Sequence, residues 1–173
     1  HYFLVAKDVG DLTRVFCVAM EAELKKRPLA AIRRIAPWRR DFGDFAIDAG
    51  RLNAKRDDAF AKDAVNFLRL FHLAQENGLD VHPNALRLLR RDLRLANARL
   101  RAMPDANELF LKILISDHDP EVTLRRMNEA GVLGRFVPDF GRVVAQMQYD
   151  MYHVHTVDEH TIYAIGILHR IEQ

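Results

Sequence analysis

The amino-acid sequence predicts an all-α protein, a multi-helix bundle with at most one short β-hairpin near residues 45–54. Three observations favour this class. Apolar residues recur at steps of three and four along most of the chain, which is the period of an amphipathic helix. Prolines and glycines stand where helices prefer them, in the first turn and just past the last turn. The connections after Asp57 are short, as they are in helical bundles.

The first element is a helix predicted over residues 2–26. Its apolar stripe consists of Val5, Val9, Leu12, Phe16, Ala19 and Met20. Gly10 lies inside the helix and weakens it by about 1 kcal/mol relative to alanine. We expect Cys17, on the same stripe, to lie in the core. Residues 28–44 have no clean period, which predicts a packed loop or short turns.

A β-hairpin is predicted next, because residues 45–52 alternate and Ala49-Gly50 is a turn signal. Helices follow, each marked by a cap, a first-turn proline or a terminal glycine. They are predicted over about residues 63–77, 83–100, 104–116, 120–130 and 138–147, and from Thr156 onward. The last begins with a capping box, in which the Thr156 hydroxyl and the Glu159 carboxylate each accept from the other residue's backbone N–H.

Composition narrows the class of protein. The chain has 26 basic and 24 acidic residues, and this near balance gives no reason to expect a nucleic-acid partner. Cys17 is the only cysteine, which excludes an internal disulfide and a cysteine-based zinc site. The longest stretch without Asp, Glu, Lys or Arg is ten residues, His160 to His169, too short to span a membrane. We therefore expect a cytoplasmic protein.

Three histidines near the end of the chain are candidate metal ligands. His160 lies one turn into the last predicted helix, which would hold it rigidly, as a metal site requires. His153 and His155 precede that helix. Together with Asp158 and Glu159 they are candidates to hydrogen-bond to the metal ligands and orient them. The alternative interpretation is that these histidines only pack or cap at a helix junction, since no second His-Asp pair completes a site.

An arginine stripe is the candidate phosphate-binding surface. Arg87, Arg90, Arg94 and Arg101 fall within about 60° of one another on a continuous helix, and Arg91 extends the stripe. Such a stripe could form a groove for phosphate or RNA. The alternative is a solvated face on which arginine stems cover apolar surface.

Ser116-Asp-His118-Asp119 contains the residue types of a catalytic triad. A triad is a spatial arrangement, and neighbours in sequence rarely form one. A helix end followed by the cap of the next helix explains these residues better.

Four segments resemble the middle of the bifunctional PII uridylyltransferase/uridylyl-removing enzymes of bacterial nitrogen control. They are Tyr2–Arg14, Asp63–Ala74, Leu124–Arg142 and Met151–His160. The third is long enough to be quite specific, whereas residues 28–56 match only loosely. Ala64 stands where such sequences commonly have proline, a departure that leaves the resemblance standing.

The resemblance implies that the chain is a piece of a larger enzyme, as its opening on His1 also suggests. In this family one domain transfers UMP from UTP to the signal protein PII, an HD-type phosphohydrolase domain removes it, and two further domains sense glutamine. Residues 1–138 would be the helical linker domain after the nucleotidyltransferase, and residues 139–173 the truncated start of the HD domain.

His160 matches the first histidine of the HD metal site, and the other ligands would lie beyond Gln173. The resemblance implies Mg²⁺ or another divalent metal in the parent and none bound in the piece, which we expect to be an inactive inter-domain scaffold. We expect neither membrane nor nucleic acid as a partner, and self-association through the truncated end.

Two alternatives stay open. One is the RNA-facing helical domain of a tRNA nucleotidyltransferase or poly(A) polymerase, which the arginine stripe would suit. The other is a stand-alone helical interaction module.

Overall fold

The computed structural model describes residues 42–144 and 156–172, together with the single positions Val9, Gly10, Thr13, Phe16, Cys17 and Met20. All six single positions are helical, as the helix predicted over residues 2–26 requires. The rest of that helix and most of the loop predicted over 28–44 lie outside the described residues. Cys17 is exposed, so its predicted place in the core is wrong.

The described ranges are mostly helical, with a small sheet near their start. The strands are β1 Phe45–Asp48, β2 Arg51–Ala54 and β3 Asp80–Val81. The first helices are α1 Ala59–Lys62, α2 Asn66–Glu76, α3 Pro83–Asp92, a 3-10 turn Leu93–Leu95 and α4 Ala98–Arg101. They are followed by α5 Pro104–Leu114, α6 Pro120–Glu129, α7 Leu133–Phe136, α8 Pro138–Val143 and α9 Val157–Glu172.

The predicted β-hairpin is confirmed. β1 and β2 pair antiparallel, and both turn residues have positive φ angles, 48° at Ala49 and 79° at Gly50. Glycine adopts this conformation without a Cβ penalty, which explains the turn signal. The two-residue strand β3, which the sequence does not predict, adds to β2 in parallel. It is too short for the alternation that marks a strand.

The core lies between the sheet and the helices around it. Phe45, Phe60 and Phe67 stack in sequence, with ring centroids 6.1 and 5.1 Å apart. They join the apolar faces of the hairpin, α1 and α2, and α2 packs in turn on α5 and α6. Burial of these faces is the main source of the bundle's stability.

The helix predicted over residues 83–100 is wrong, because it breaks into three pieces. α3 ends at Asp92, a 3-10 turn follows, and α4 restarts at Ala98. The side chain of Asn97 accepts a hydrogen bond from the backbone N–H of Arg99 at 2.9 Å, so it caps the new helix. Within the described ranges, no helix is both long and apolar enough to cross a membrane.

Candidate functional site

The helix that carries His160, α9, lies against α6 along one face. Asp158, Ile162 and Gly166 share that face at steps of four residues, and all three are buried. Asp158 is only 1% exposed and accepts a hydrogen bond from the side-chain amide of Asn128 on α6 at 2.9 Å. Its charge also sits in the first turn of α9, where the helix dipole favours a carboxylate.

Gly166 brings the two helices unusually close together. A Cβ at this position would lie 2.8 Å from the carboxyl carbon and 2.9 Å from the Cβ of Glu121 on α6. Ordinary carbon–carbon contacts are about 3.5–4.0 Å. No side chain other than hydrogen therefore fits at position 166 without moving α9 or Glu121.

Four charged side chains hold α9 onto α6, and we call them the α6–α9 clamp: Glu121, Arg125, Glu159 and Arg170. Arg125 donates to Glu121 at 3.0 Å and also to Glu159, and Arg170 donates to Glu121 at 3.2 Å. Burial lowers the pKa of Arg125, but the two carboxylates outweigh this and leave the pKa raised above its usual value. The capping-box prediction directs the Glu159 carboxylate to the backbone of its own helix. In the structure this carboxylate accepts from Arg125 of α6.

The opposite face of α9 is apolar and exposed. Tyr163, Ile167 and Ile171 are 49%, 39% and 74% exposed. On a helical wheel they fall within about 80° of one another, and the exposed His160 lies among them. A helix that is apolar on both faces is normally covered on both.

The other predicted metal-site residues are placed as follows. Asp158 and Glu159 lie on the α6 side of the helix, away from His160. His153 and His155 lie outside the described residues. In the part of the chain that the structure describes, no group of three or more His, Cys, Asp or Glu side chains could hold a metal ion. Among the described residues, His160 thus belongs to no such group.

The predicted arginine stripe does not form a common face. Arg87 donates to Asn84 at 2.9 Å, whereas Arg90 donates to the backbone carbonyl of Glu129 at 2.8 Å and so closes the end of α6. Arg94 is exposed on the 3-10 turn. Because the helix breaks after Asp92, Arg94 and Arg101 lie on other elements than Arg87 and Arg90, and the RNA-binding alternative loses the continuous stripe that favoured it.

Ser116 and His118 do not form a triad. The Ser116 hydroxyl donates to Glu76 at 3.0 Å and accepts from the backbone N–H of His118 at 3.1 Å. The imidazole Nδ1 of His118 lies 3.9 Å from the same Glu76 carboxylate oxygen. The Ser116 hydroxyl is thus bonded to the carboxylate of Glu76 and not to the imidazole of His118. These hydrogen bonds belong to a helix end, as the sequence suggested.

A groove of about 440 Å³, which the sequence does not predict, lies where α4, α7 and α8 meet. Its lining contains three arginines, Arg101, Arg135 and Arg142, which we call the arginine groove. Arg101 lies 34 residues before Arg135, so no local pattern joins all three. The nearest sequence signal is the Gly134/Gly141 pair, seven residues apart, which allows α7 and α8 to touch.

Comparison with known proteins gives a consistent result. Residues 45–136 match the family described as "Uridylyltransferase GlnD third domain". Over 99% of its length the chain is 62% identical to a bifunctional uridylyltransferase/uridylyl-removing enzyme of Azospirillum brasilense and 52% identical to one of Rhodospirillum rubrum. The chain spans only 19% and 18% of the length of these two relatives. No solved structure matches the chain.

Proposed function

Because the chain belongs to the uridylyltransferase GlnD third-domain family, we propose that it is the helical inter-domain scaffold of a bifunctional enzyme acting on the nitrogen-signalling protein PII. That enzyme transfers UMP from UTP to PII and removes it again, and glutamine sets the balance between the two reactions. Residues 1–138 follow the nucleotidyltransferase domain, and residues 139–173 begin the HD-type phosphohydrolase domain. The enzyme acts in the cytoplasm.

The two-sided apolar character of α9 carries this proposal. One face is docked on α6 by the α6–α9 clamp, and the other presents Tyr163, Ile167 and Ile171 to solvent. Exposed apolar surface of this kind marks an interaction site. In the proposed enzyme the remaining helices of the HD domain cover it. In the isolated chain the same face favours self-association.

His160 stands inside this uncovered face, where a metal centre of the covering domain would meet it. A single imidazole cannot hold a catalytic divalent ion, because binding needs several ligands in a fixed geometry. The described residues alone therefore do not fit a complete metal site. The role proposed for His160 is to supply one ligand to a Mg²⁺ or similar ion, whose other ligands belong to the rest of the enzyme.

The test uses the full-length protein that carries this chain, with PII, UTP and glutamine. We expect His160→Ala to abolish UMP removal from uridylylated PII and to leave UMP transfer to PII within about twofold of wild type. His118→Ala is the matched control, since His118 is also exposed but lies at a different helix end. Equal loss of both reactions in His160→Ala, or unchanged removal, would contradict the role of His160.

The scaffold role has a separate test. The 173-residue chain should catalyse neither transfer nor removal. Activity of the chain alone would overturn the proposal that it is a scaffold. A full-length protein that neither modifies nor demodifies PII would overturn the wider assignment.

A further inference from the structure

We propose that the arginine groove binds a small phosphate-bearing anion, a site independent of both proposed reactions. The groove contains Arg101 of α4, Arg135 of α7 and Arg142 of α8. None of the described residues that line it is acidic; the remaining ones are Ala96, Asn97, Ala98, Gly134, Pro138 and Gly141. Since the whole chain has a net charge of only +2, three cations around one groove are a marked local excess.

The groove has a floor of backbone. A Cβ on Gly141 would lie 3.0 Å from the carbonyl carbon of Gly134, so α7 and α8 touch there without side chains between them. Because both residues are glycines, no side chain occupies this part of the groove. Arg135 and Arg142 each follow one of the two glycines, and both line the groove. Glycine commonly serves where a ligand or another backbone must come close.

One of the arginines is held in position before any ligand arrives. Arg101 is half-buried and donates from one guanidinium nitrogen to the backbone carbonyl of Arg135 at 3.0 Å. A guanidinium has five N–H donors, so the others stay available for a ligand. Fixing one arginine in advance reduces the conformational entropy that binding would otherwise cost.

The ion pair between Arg142 and Asp139 lies in water. The Asp139 carboxylate accepts a hydrogen bond from Arg142 at 2.9 Å; the Asp139 side chain is 87% exposed and that of Arg142 is 79% exposed. Such exposed pairs contribute little free energy and exchange readily with another anion.

The chemistry of the ligand follows from the guanidinium groups. Arginine forms bidentate, charge-assisted hydrogen bonds with phosphate oxygens, which is why it predominates where phosphate geometry is recognised. The groove is open, and its volume of about 440 Å³ leaves room for more than a single phosphate. Pyrophosphate and the phosphate chain of a nucleotide both satisfy this chemistry.

The experiment is calorimetric titration of the 173-residue chain with sodium pyrophosphate, and in parallel with inorganic phosphate, UMP and UTP. We expect saturable binding of pyrophosphate, and weaker binding of inorganic phosphate because it presents fewer oxygens. UTP binding equal to that of pyrophosphate would show recognition of the phosphates alone. Tighter UTP binding would show that the nucleoside also contacts the groove.

Two variants connect the binding to the groove. Arg135→Gln and Arg142→Gln should each lower pyrophosphate affinity by about tenfold, since each removes charge-assisted hydrogen bonds. Both side chains are exposed, so we expect both variants to fold, and circular dichroism checks this. Arg87→Gln is the matched control: an exposed arginine on α3, outside the groove, whose loss should leave the affinity unchanged. Absence of saturable pyrophosphate binding, or equal binding by all three variants, overturns the proposal.

Discussion

Gly166→Ala is the substitution that tests most directly how α9 is attached to the bundle. The added methyl group would lie 2.9 Å from the Cβ of Glu121 and 2.8 Å from its carboxyl carbon. Glu121 cannot simply turn aside, because its Cβ is fixed by the backbone of α6 and its carboxylate is held by Arg125 and Arg170. α9 must therefore move away from α6.

The size of the effect follows from two opposing terms. A carbon–carbon contact needs about 3.5 Å, so the helices must separate by about 0.6 Å. Overpacking of this kind costs about 1–3 kcal/mol. Alanine is the better helix former and returns up to about 1 kcal/mol. The cost should lie in the upper part of that range, about 2–3 kcal/mol, because the Cβ of Glu121 is fixed to the backbone; we therefore expect a net destabilisation of the α6–α9 contact by about 1–2 kcal/mol.

Native-state hydrogen exchange is the appropriate assay, because it distinguishes local opening of α9 from unfolding of the whole chain. The expected change is a loss of protection of about 5–30-fold, confined to the amides of α9. In a Glu121→Ala background the loss should be smaller, because the carboxyl group is absent and only the Cβ contact remains. Gly10→Ala is a control at a helical glycine with nothing within 4 Å of the added Cβ.

The reasoning would be refuted if Gly166→Ala left the protection of α9 unchanged or increased it. That result would mean that the helices separate at no cost, so that the close approach at Gly166 does not determine where α9 lies. A loss of protection spread evenly over α2, α5 and α9 would also contradict it, because the contact is local to α6 and α9.

Three further predictions concern the rest of the bundle and can be checked by denaturant unfolding. Burial lowers the pKa of His72 below its usual 6.5; the charge of Glu76 opposes this shift and that of Lys112 adds to it. The free energy of unfolding should therefore be highest above pH 6.5 and decrease as the pH falls through the folded-state pKa of His72. His72→Gln should flatten that dependence, and an unchanged slope would count against it. Ala49→Asn should stabilise the hairpin by about 1 kcal/mol, because Asn tolerates a positive φ better than Ala; no gain would mean that the turn is unstrained. Asp119→Ala should cost about 1 kcal/mol by removing the cap on the N–H of Val122, whereas Asp119→Asn should not; equal midpoints for the two variants would exclude a capping role.

The starts of the helices could be predicted from the sequence because the signals are local. Pro83, Pro104, Pro120 and Pro138 each begin a helix, as predicted. Proline at the first helical position loses only a hydrogen bond that the helix could not make anyway. The hairpin was equally readable, because its two turn residues are adjacent.

The break after Asp92 was missed because its cause is partly tertiary. Residues 93–97 continue the apolar spacing of α3, and Asn97 is a cap signal that the periodicity obscured. Leu93 lies against Gly131, which is 38 residues further along the chain. A Cβ added to Gly131 would lie 3.0 Å from a methyl carbon of Leu93. Periodicity within one window carries no information about such a partner.

The same limit applies to the candidate site. His160 could be recognised as a helix-borne histidine, but the partners that orient its helix are distant in sequence. Glu159 contacts Arg125, 34 residues away, and Gly166 lies against Glu121. Of the four arginines in the predicted stripe, only Arg101 lines the arginine groove, where it meets Arg135 and Arg142 from 34 and 41 residues further along the chain. Side-chain convergence therefore required the fold.

The attachment of α9 has a consequence for the proposed enzyme, because the face docked on α6 determines where His160 lies. Metal ligands must be held within about 0.5 Å of their working positions. The separation of about 0.6 Å expected for Gly166→Ala exceeds that tolerance. In the full-length protein we therefore expect Gly166→Ala to lower UMP removal from PII by at least about tenfold and to leave UMP transfer largely unchanged. Both rates can be measured on one preparation with radiolabelled UTP. Equal rates of removal for wild type and variant would show that the position of His160 does not depend on the close contact between Gly166 and Glu121.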